Sequence, residues 1–255
     1  MRHIFIGDVH GCIDELKSLI KEIDLQIGDV LYFLGDLIDR GPDSVGVVRY
    51  VFELSKKYDT KLIVGNHEEK FFRYLNHIKN KPKLLLEMIG IDEFEYLNNN
   101  LNTEEKCFIQ NAYFNLNIPE LGILLVHGGV PKIELLESDI NYKYQYPTPK
   151  ALQKISLLTK TRYLDENGVF VSSNQLTASS YFWAERYPKR YKFVIFGHTP
   201  FIQNTAKYFY NAMGIDTGCV YGGWLTAAIC SEKNKYKTVS VKAKSVYFQS
   251  TDSII

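Results

Sequence analysis

His3-Ile4-Phe5-Ile6-Gly7-Asp8-Val9-His10-Gly11 is a short apolar run that stops at a glycine followed by two polar residues of metal-ligand type. The same arrangement recurs at Val30–Leu34 before Gly35-Asp36, Lys61–Val64 before Gly65-Asn66, Gly122–Val126 before His127-Gly128, and Tyr191–Phe196 before Gly197-His198. Each reads as a buried strand running into a tight turn. Amphipathic stretches, Ile13–Ile23 and Val45–Lys57, separate the first three. Asp8 to Asp36 and Asp36 to Asn66 each span about 30 residues, the length of a βαβ unit. Parallel strands follow from that spacing. In such sheets ligands sit beyond the carboxyl ends of the strands, so all five turns are expected to gather at one place.

Past Asn66 the pattern changes. Glu68–Lys79, Lys83–Ile89 and Thr103–Asn111 read as helices, which together predict a helical cap near the turns over about residues 68–118. Asn141–Pro149, with three tyrosines and two prolines, reads as an irregular loop, and Tyr187-Pro188 with Lys189-Arg190 marks another turn. From Met213 to Val246 alternation returns, seen in Thr238–Val246, and suggests a second antiparallel sheet layer. No repeat or linker divides the 255 residues, so residues 1–255 are expected to form one domain.

Thirty basic and 29 acidic residues leave a net charge of +1, which excludes a strong global drive toward nucleic acid or an anionic membrane. Cys12, Cys107, Cys219 and Cys230 contain no CxxC pair and read as reduced thiols. The first apolar run is too short for a signal peptide and no stretch reaches membrane-span length, so a cytoplasmic location is expected. Nothing in the sequence sets an oligomeric state.

The polar residues at the strand ends are Asp8, His10, Asp36, Asp39, Asn66, His67, His127 and His198. In Asp8-x-His10 the two side chains lie two apart in an extended segment and point to the same side, where they can grip one cation. Carboxylate, carboxamide and imidazole without thiolate favour manganese, iron or zinc in a catalytic site. Any one of these residues alone would read as a cap or a turn. Eight together read as a centre.

Gly7–Gly11, Gly35-Asp36-Leu37-Ile38-Asp39-Arg40-Gly41, Gly65-Asn66-His67-Glu68, His127-Gly128-Gly129 and Gly197-His198-Thr199 resemble, in order, the five signature blocks of the phosphoprotein-phosphatase branch of the calcineurin-like metallophosphatases. The resemblance implies an α/β fold, a two-sheet β sandwich flanked by helices, with metals at the strand C-terminal ends. It implies that Asp8, His10 and a bridging Asp36 hold one divalent ion and that Asp36, Asn66, His127 and His198 hold the second, most readily manganese, with iron or zinc as alternatives. A carboxylate can bridge two cations at the roughly 3.5–4 Å of two-metal sites, where a shared hydroxide attacks phosphorus. Arg40, with Asn66, would take the phosphate oxygens, and His67 would be the general acid with Asp39 oriented against it.

Thr161-Arg162-Tyr163-Leu164 and the run Ile215–Ala227 are similar to bacterial diadenosine tetraphosphatases and related small phosphatases. That similarity implies a second phosphate clamp at Arg162 and a pocket-lining Tyr221. His3 and His77 belong to no block and read as structural or solvated. Tyr142, Tyr144 and Tyr146 read more readily as packing than as base stacking. The function implied is hydrolysis of a phosphoanhydride in a dinucleoside polyphosphate. A Ser/Thr protein phosphatase is the alternative, ahead of a nuclease or a non-catalytic scaffold, and the sequence leaves open the pocket rim that separates the first two.

Overall fold

The computed structural model describes residues 1–133, 140–144, 149–188, 192–233 and 235–249. Alternation along the strands organises it. In β1 (His3–Ile6) Ile4 and Ile6 enter one core while Phe5 enters another, and in β2 (Val30–Phe33) Leu31 and Phe33 join the first while Val30 and Tyr32 join the second. Successive strand side chains face opposite sides, so such a sheet must be covered on both. β3 (Asp59–Leu62) continues parallel to β2 as β2 does to β1. The crossovers α1 (Ile13–Ile23) and α2 (Ser44–Ser55) cover the first face with Leu16, Leu19 and Ile23, and with Val47, Val48 and Val51. Asp43 caps α2 by accepting from the Gly46 amide at 2.7 Å.

The second sheet runs β10 (Lys207–Tyr208), β11 (Ala212–Gly214), β9 (Phe193–Phe196), β5 (Ile123–Val126), β4 (Asn115–Ile118), with β11, β9 and β5 parallel. Its Ile123, Leu125, Ile195 and Met213 meet Phe5, Val30 and Leu34 of the first sheet in a shared core. Its outer face, Leu124, Val126, Val194 and Phe196, is covered by Leu158 of the short helix Leu157–Lys160, by Trp183, and by a small sheet of β6 (Tyr163–Leu164), β7 (Phe170–Val171) and β8 (Tyr181–Phe182). The chain is thus a mixed α/β sandwich with helices on one side and a small sheet with short helical turns on the other.

Two expectations are corrected. The segment from Met213 to Val246 makes no antiparallel layer of its own. β11 lies parallel inside the second sheet, and the hairpin β12 (Trp224–Glu232) and β13 (Lys235–Lys242) joins the first sheet beside β1, with Ile6 opposite Ala227. Alternation reports a buried face and is silent on which sheet owns it. The helical stretch over residues 68–118 also ends early. α3 (Asn66–Asn80), a 3-10 turn at Pro82–Glu87, α4 (Ile91–Asn100) and α5 (Thr103–Gln110) give way to β4. Phe71, Phe72, Phe94 and Leu97 are buried in the core shared with α1 and α2, so these helices pack against the sandwich. Helical periodicity shows that a stripe is buried and leaves open which surface it covers.

The sandwich closes tightly where β1 ends. A Cβ at Gly7 would stand 2.2 Å from the Ile215 carbonyl oxygen, so backbone meets backbone there. Gly7→Ala is therefore expected to cost about 1–3 kcal/mol by overpacking, read as a fall in Tm of roughly 2–10 °C. An unchanged melting curve would contradict this close approach.

Candidate active site

Six strands empty into one cleft: Asp8 and His10 follow β1, Asp36, Asp39 and Arg40 follow β2, Asn66 and His67 follow β3, and His127, His198 and Asp216 follow β5, β9 and β11. The turns are strained. Seven described non-glycine residues have left-handed φ, and His10 (46°), Asp36 (50°), Asp39 (73°), Arg40 (72°) and His198 (65°) are five of them. Each such conformation costs an L-residue energy and persists because its surroundings hold it.

The holding groups are identifiable. Glu68 Oε2 accepts from the amides of Asp36 (2.7 Å) and Gly65 (2.9 Å), and Oε1 from Leu37 (2.8 Å). Asp8 accepts from the His198 amide at 3.0 and 3.2 Å. A Cβ on Gly65 would lie 2.1 Å from Asp36 Oδ1, so only glycine lets that backbone pass.

Asp36 is the hub. Its Oδ1 accepts from the His67 amide (3.0 Å), and its Oδ2 faces Nε2 of His127 (3.2 Å), His10 (3.5 Å) and His67 (3.9 Å). His10 Nδ1 donates to Ile38 O (3.1 Å) and His127 Nδ1 to Leu34 O (2.7 Å), which fixes each ring with Nε2 inward. Asn66 Oδ1 is 3.2 Å from His127 Nε2. His67 Nδ1 donates to Asp39 Oδ2 at 2.6 Å, and its buried Nε2 has no hydrogen-bond partner. Arg40 Nη1 donates to the Tyr221 hydroxyl (2.6 Å), with the guanidinium 5.3 Å from the Phe248 ring. Arg162 Nη2 donates to His198 O at 3.0 Å.

All the residues singled out in the strand-end blocks, with Arg162 and Tyr221, thus reach one cleft. Sequence reading missed three others. Glu68 sits inside a quoted block at the third position of α3, where a glutamate reaches back to amides, and that was its signal. Asp216 ends β11 as Asp8 ends β1, and its Oδ1 accepts from Gly218 N at 2.9 Å. Phe248 carried no sequence signal. Tyr144 packs on Phe72 at 4.3 Å and Tyr142 lies half-buried against the same core, as packing predicts. Tyr146 and Lys189-Arg190 lie outside the described residues. His3 is buried against the Tyr32 hydroxyl at 3.0 Å.

Charge in the cleft is unbalanced. Burial, then the charges of Asp216 and Asp36, push the Asp8 carboxyl well up. Burial, with Asp36 adding to it, pushes Asp216 to about 6 and Glu68 to about 7. Burial pushes Asp36 up too, but His127 and His67 outweigh it and hold its carboxyl well below the usual range. Burial pulls His10 down to about 3 and His198 well below the ordinary imidazole value. His127 goes the other way. Burial lowers it, while Asp36 and Asp8 hold it up at about 10. Crowded carboxylates and inward imidazole lone pairs call for positive charge. Donor atoms of His10, Asp36 and His67, and of Asp36, His127 and His198, lie within 4.8 Å of one another. This oxygen and nitrogen set fits divalent cations, with Asp36 common to both trios.

A carboxylate ringed by imidazoles, with two arginines beside it, defines a metal-dependent hydrolase of phosphoric esters or anhydrides. The chain belongs to the calcineurin-like phosphoesterase family, whose profile matches residues 1–225. It is 31% identical to the asymmetrical bis(5'-nucleosyl)-tetraphosphatase PrpE of Halalkalibacterium halodurans, with 89% of each chain aligned. The enzyme of that name from Bacillus subtilis strain 168 is 30% identical over 98% of both chains. A solved structure of a candidate diadenosine tetraphosphatase superposes with a TM-score of 0.68 at 27% identity, covering 95% of this chain and 93% of that one. The enzyme works with divalent metal ions. Among the described residues no helix is long and apolar enough to cross a membrane.

Glu68→Gln is expected to destabilise the protein by about 1–3 kcal/mol, since an amide can accept through one atom only and its NH2 would face a backbone N–H. Metal affinity should fall roughly 10- to 100-fold as the Asp36 turn loosens. Thermal unfolding and metal per chain after dialysis check both. Wild-type values in both would show that Glu68 does not hold the turn.

Proposed function

We propose that the chain hydrolyses a phosphoanhydride of a dinucleoside tetraphosphate, with Asp8, His10 and Asp36 holding one divalent ion and Asp36, Asn66, His127 and His198 the other. The observation that carries the substrate class is a group of cations around one cavity. Beside the cleft lies a cavity of about 340 Å³ in which Arg40, Arg162, Lys160, Lys70 and Arg73 face a single carboxylate, Glu69, among the described lining residues. Five positive side chains match a string of phosphates, where a phosphoserine would bring one. The relatives named asymmetrical tetraphosphatases support the same reading and favour unequal cleavage, into a nucleoside triphosphate and a monophosphate. The carboxylate, carboxamide and imidazole donors suit manganese, iron or zinc, and manganese is our choice among them.

Divalent cations held by these residues would supply a lowered pKa for the attacking water and positive charge for the phosphoryl oxygens. The chain's own residues do the rest. Tyr221 and Phe248 hold Arg40 so that its fork faces phosphate oxygens, and the His198 carbonyl tethers Arg162. Asp39 fixes the His67 ring through Nδ1, leaving Nε2 to pass a proton to the departing oxygen. Burial pushes the Asp39 carboxyl up, yet the His67 hydrogen bond and charge hold it at about 2, so Asp39 stays an acceptor at neutral pH.

With manganese, kcat/KM for diadenosine tetraphosphate should exceed that for a phosphothreonine peptide. Lys160→Ala combined with Arg73→Ala should raise KM for the dinucleotide roughly 10-fold while leaving nitrophenyl phosphate hydrolysis nearly unchanged. The opposite substrate ranking would favour the protein-phosphatase reading.

His67→Ala should keep its metal, since Asn66 and not His67 is the assigned ligand, and the lost rate should depend on the leaving group. Alkyl phosphate hydrolysis should fall about 10²–10⁴-fold, and nitrophenyl phosphate much less, because nitrophenolate departs without a proton. Elemental analysis and kcat on both substrates test this. Parallel loss of metal would make His67 a ligand, in line with its place in the His10 and Asp36 trio.

A further inference from the structure

A second group of ligand-type side chains lies apart from the cleft, under the start of α1. Cys12 precedes the helix, Glu15 occupies its first turn, and Cys219 opens a 3-10 turn after β11. Two sulfurs and one carboxylate oxygen from these residues lie within 4.8 Å of one another. All three residues are buried, at 0%, 1% and 1% exposure. Glu15 stands on the buried stripe of α1, four residues before Leu19, where an apolar side chain would be the ordinary choice. Its Oε1 accepts from the Lys244 amide (2.9 Å) and the Tyr247 hydroxyl (2.8 Å). Its Oε2 is buried and has no hydrogen-bond partner. The Cys12 thiol makes a weak contact, 3.7 Å to His10 O, and pairs with the Cys219 thiol. A buried carboxylate oxygen with no donor is costly, and so is expected to have a partner.

Two thiols and a carboxylate form a different donor set from the oxygen and imidazole groups of the cleft. Sulfur ligands select soft or borderline ions of the zinc class, with Zn–S near 2.3 Å, and three protein donors leave a fourth position open. We propose that Cys12, Cys219 and Glu15 form a third cation site, for a divalent ion of the zinc or cadmium class, separate from the catalytic pair. On binding, each thiol gives its proton to solvent and becomes a thiolate. The two thiolates and the carboxylate then face the double charge of the cation, and Glu15 Oε2 gains its missing partner. Cys12 lies two residues past His10, and Cys219 two before Tyr221. Glu15 holds the segment that carries Phe248. A cation there would pin the turn of His10 to the groups that seat Arg40, from outside the cleft.

The test uses reduced, metal-free, full-length protein titrated with cobalt(II). Thiolate-to-cobalt charge-transfer absorption in the near ultraviolet arises only where sulfur binds the ion, so the catalytic centre is silent in this readout. The band should appear in the wild type and in Asp36→Asn, weaken in Glu15→Gln, and vanish in Cys219→Ala and in Cys12→Ala. Its absence from wild type at saturating cobalt overturns the proposal, whatever the variants do. Persistence in Cys12→Ala/Cys219→Ala overturns it too, placing the sulfur on Cys107 or Cys230. Loss of the band in a folded Asp36→Asn, with folding checked by circular dichroism, would overturn the independence of the site.

Discussion

The Glu68 carboxylate ties together three backbone amides from two strand ends, and the cleft is assembled outward from that join. Asp36 and Leu37 have just left β2 and Gly65 has just left β3, so their N–H groups have no ladder partner and are buried. Unpaired, each would carry a full desolvation cost. One side chain from the first turn of α3 satisfies all three and fixes the angle at which both turns leave the sheet. Burial and the Asp36 charge push this carboxyl to about 7. Cations beside Asp36 would favour its ionised form, which is the form that accepts three hydrogen bonds. The brace and the centre it supports are therefore electrostatically linked.

The parallel ladder makes such a brace possible. Because β1, β2 and β3 run in the same direction with level registers, and β5, β9 and β11 do so in the facing sheet, six chain exits arrive at one edge of the sandwich. Left-handed conformations at His10, Asp36, Asp39, Arg40 and His198 then turn the side chains inward, where extended backbone would carry them past the centre. The stability lost in these turns is recovered in the three cores, whose strands and helices are regular. Strain is concentrated where chemistry needs an unusual direction, and regularity lies elsewhere.

Much of this was legible in the sequence because it is local. A strand, a glycine and a ligand follow one another within a few residues, and the helices between fall on a 3.6-residue period, so five site strands and eight cleft residues could be read directly. What escaped depends on contacts between distant segments. The hairpin of β12 and β13 reads as part of a second layer because its alternation is the same in either sheet. Residues 68–118 read as a helical cap because an apolar stripe does not say what it covers. Phe248 reaches Arg40 from a distant segment, and Lys70, Arg73 and Lys160 come together around one cavity only through the fold.

That cavity wall has a different ancestry of constraint from the centre beside it. Lys70 is half-buried on α3 and Arg73 and Lys160 are exposed, and they project from helix surfaces without bracing any strained turn. The residues around Asp36, by contrast, hold one another in place through buried hydrogen bonds. Substitution along the wall can proceed one charge at a time without unfolding the centre, whereas a change at the hub disturbs several partners at once. A lineage built on this scaffold could therefore drift from one phosphorylated substrate to another while its hydrolytic chemistry stayed fixed, with recognition and reaction evolving at separate rates.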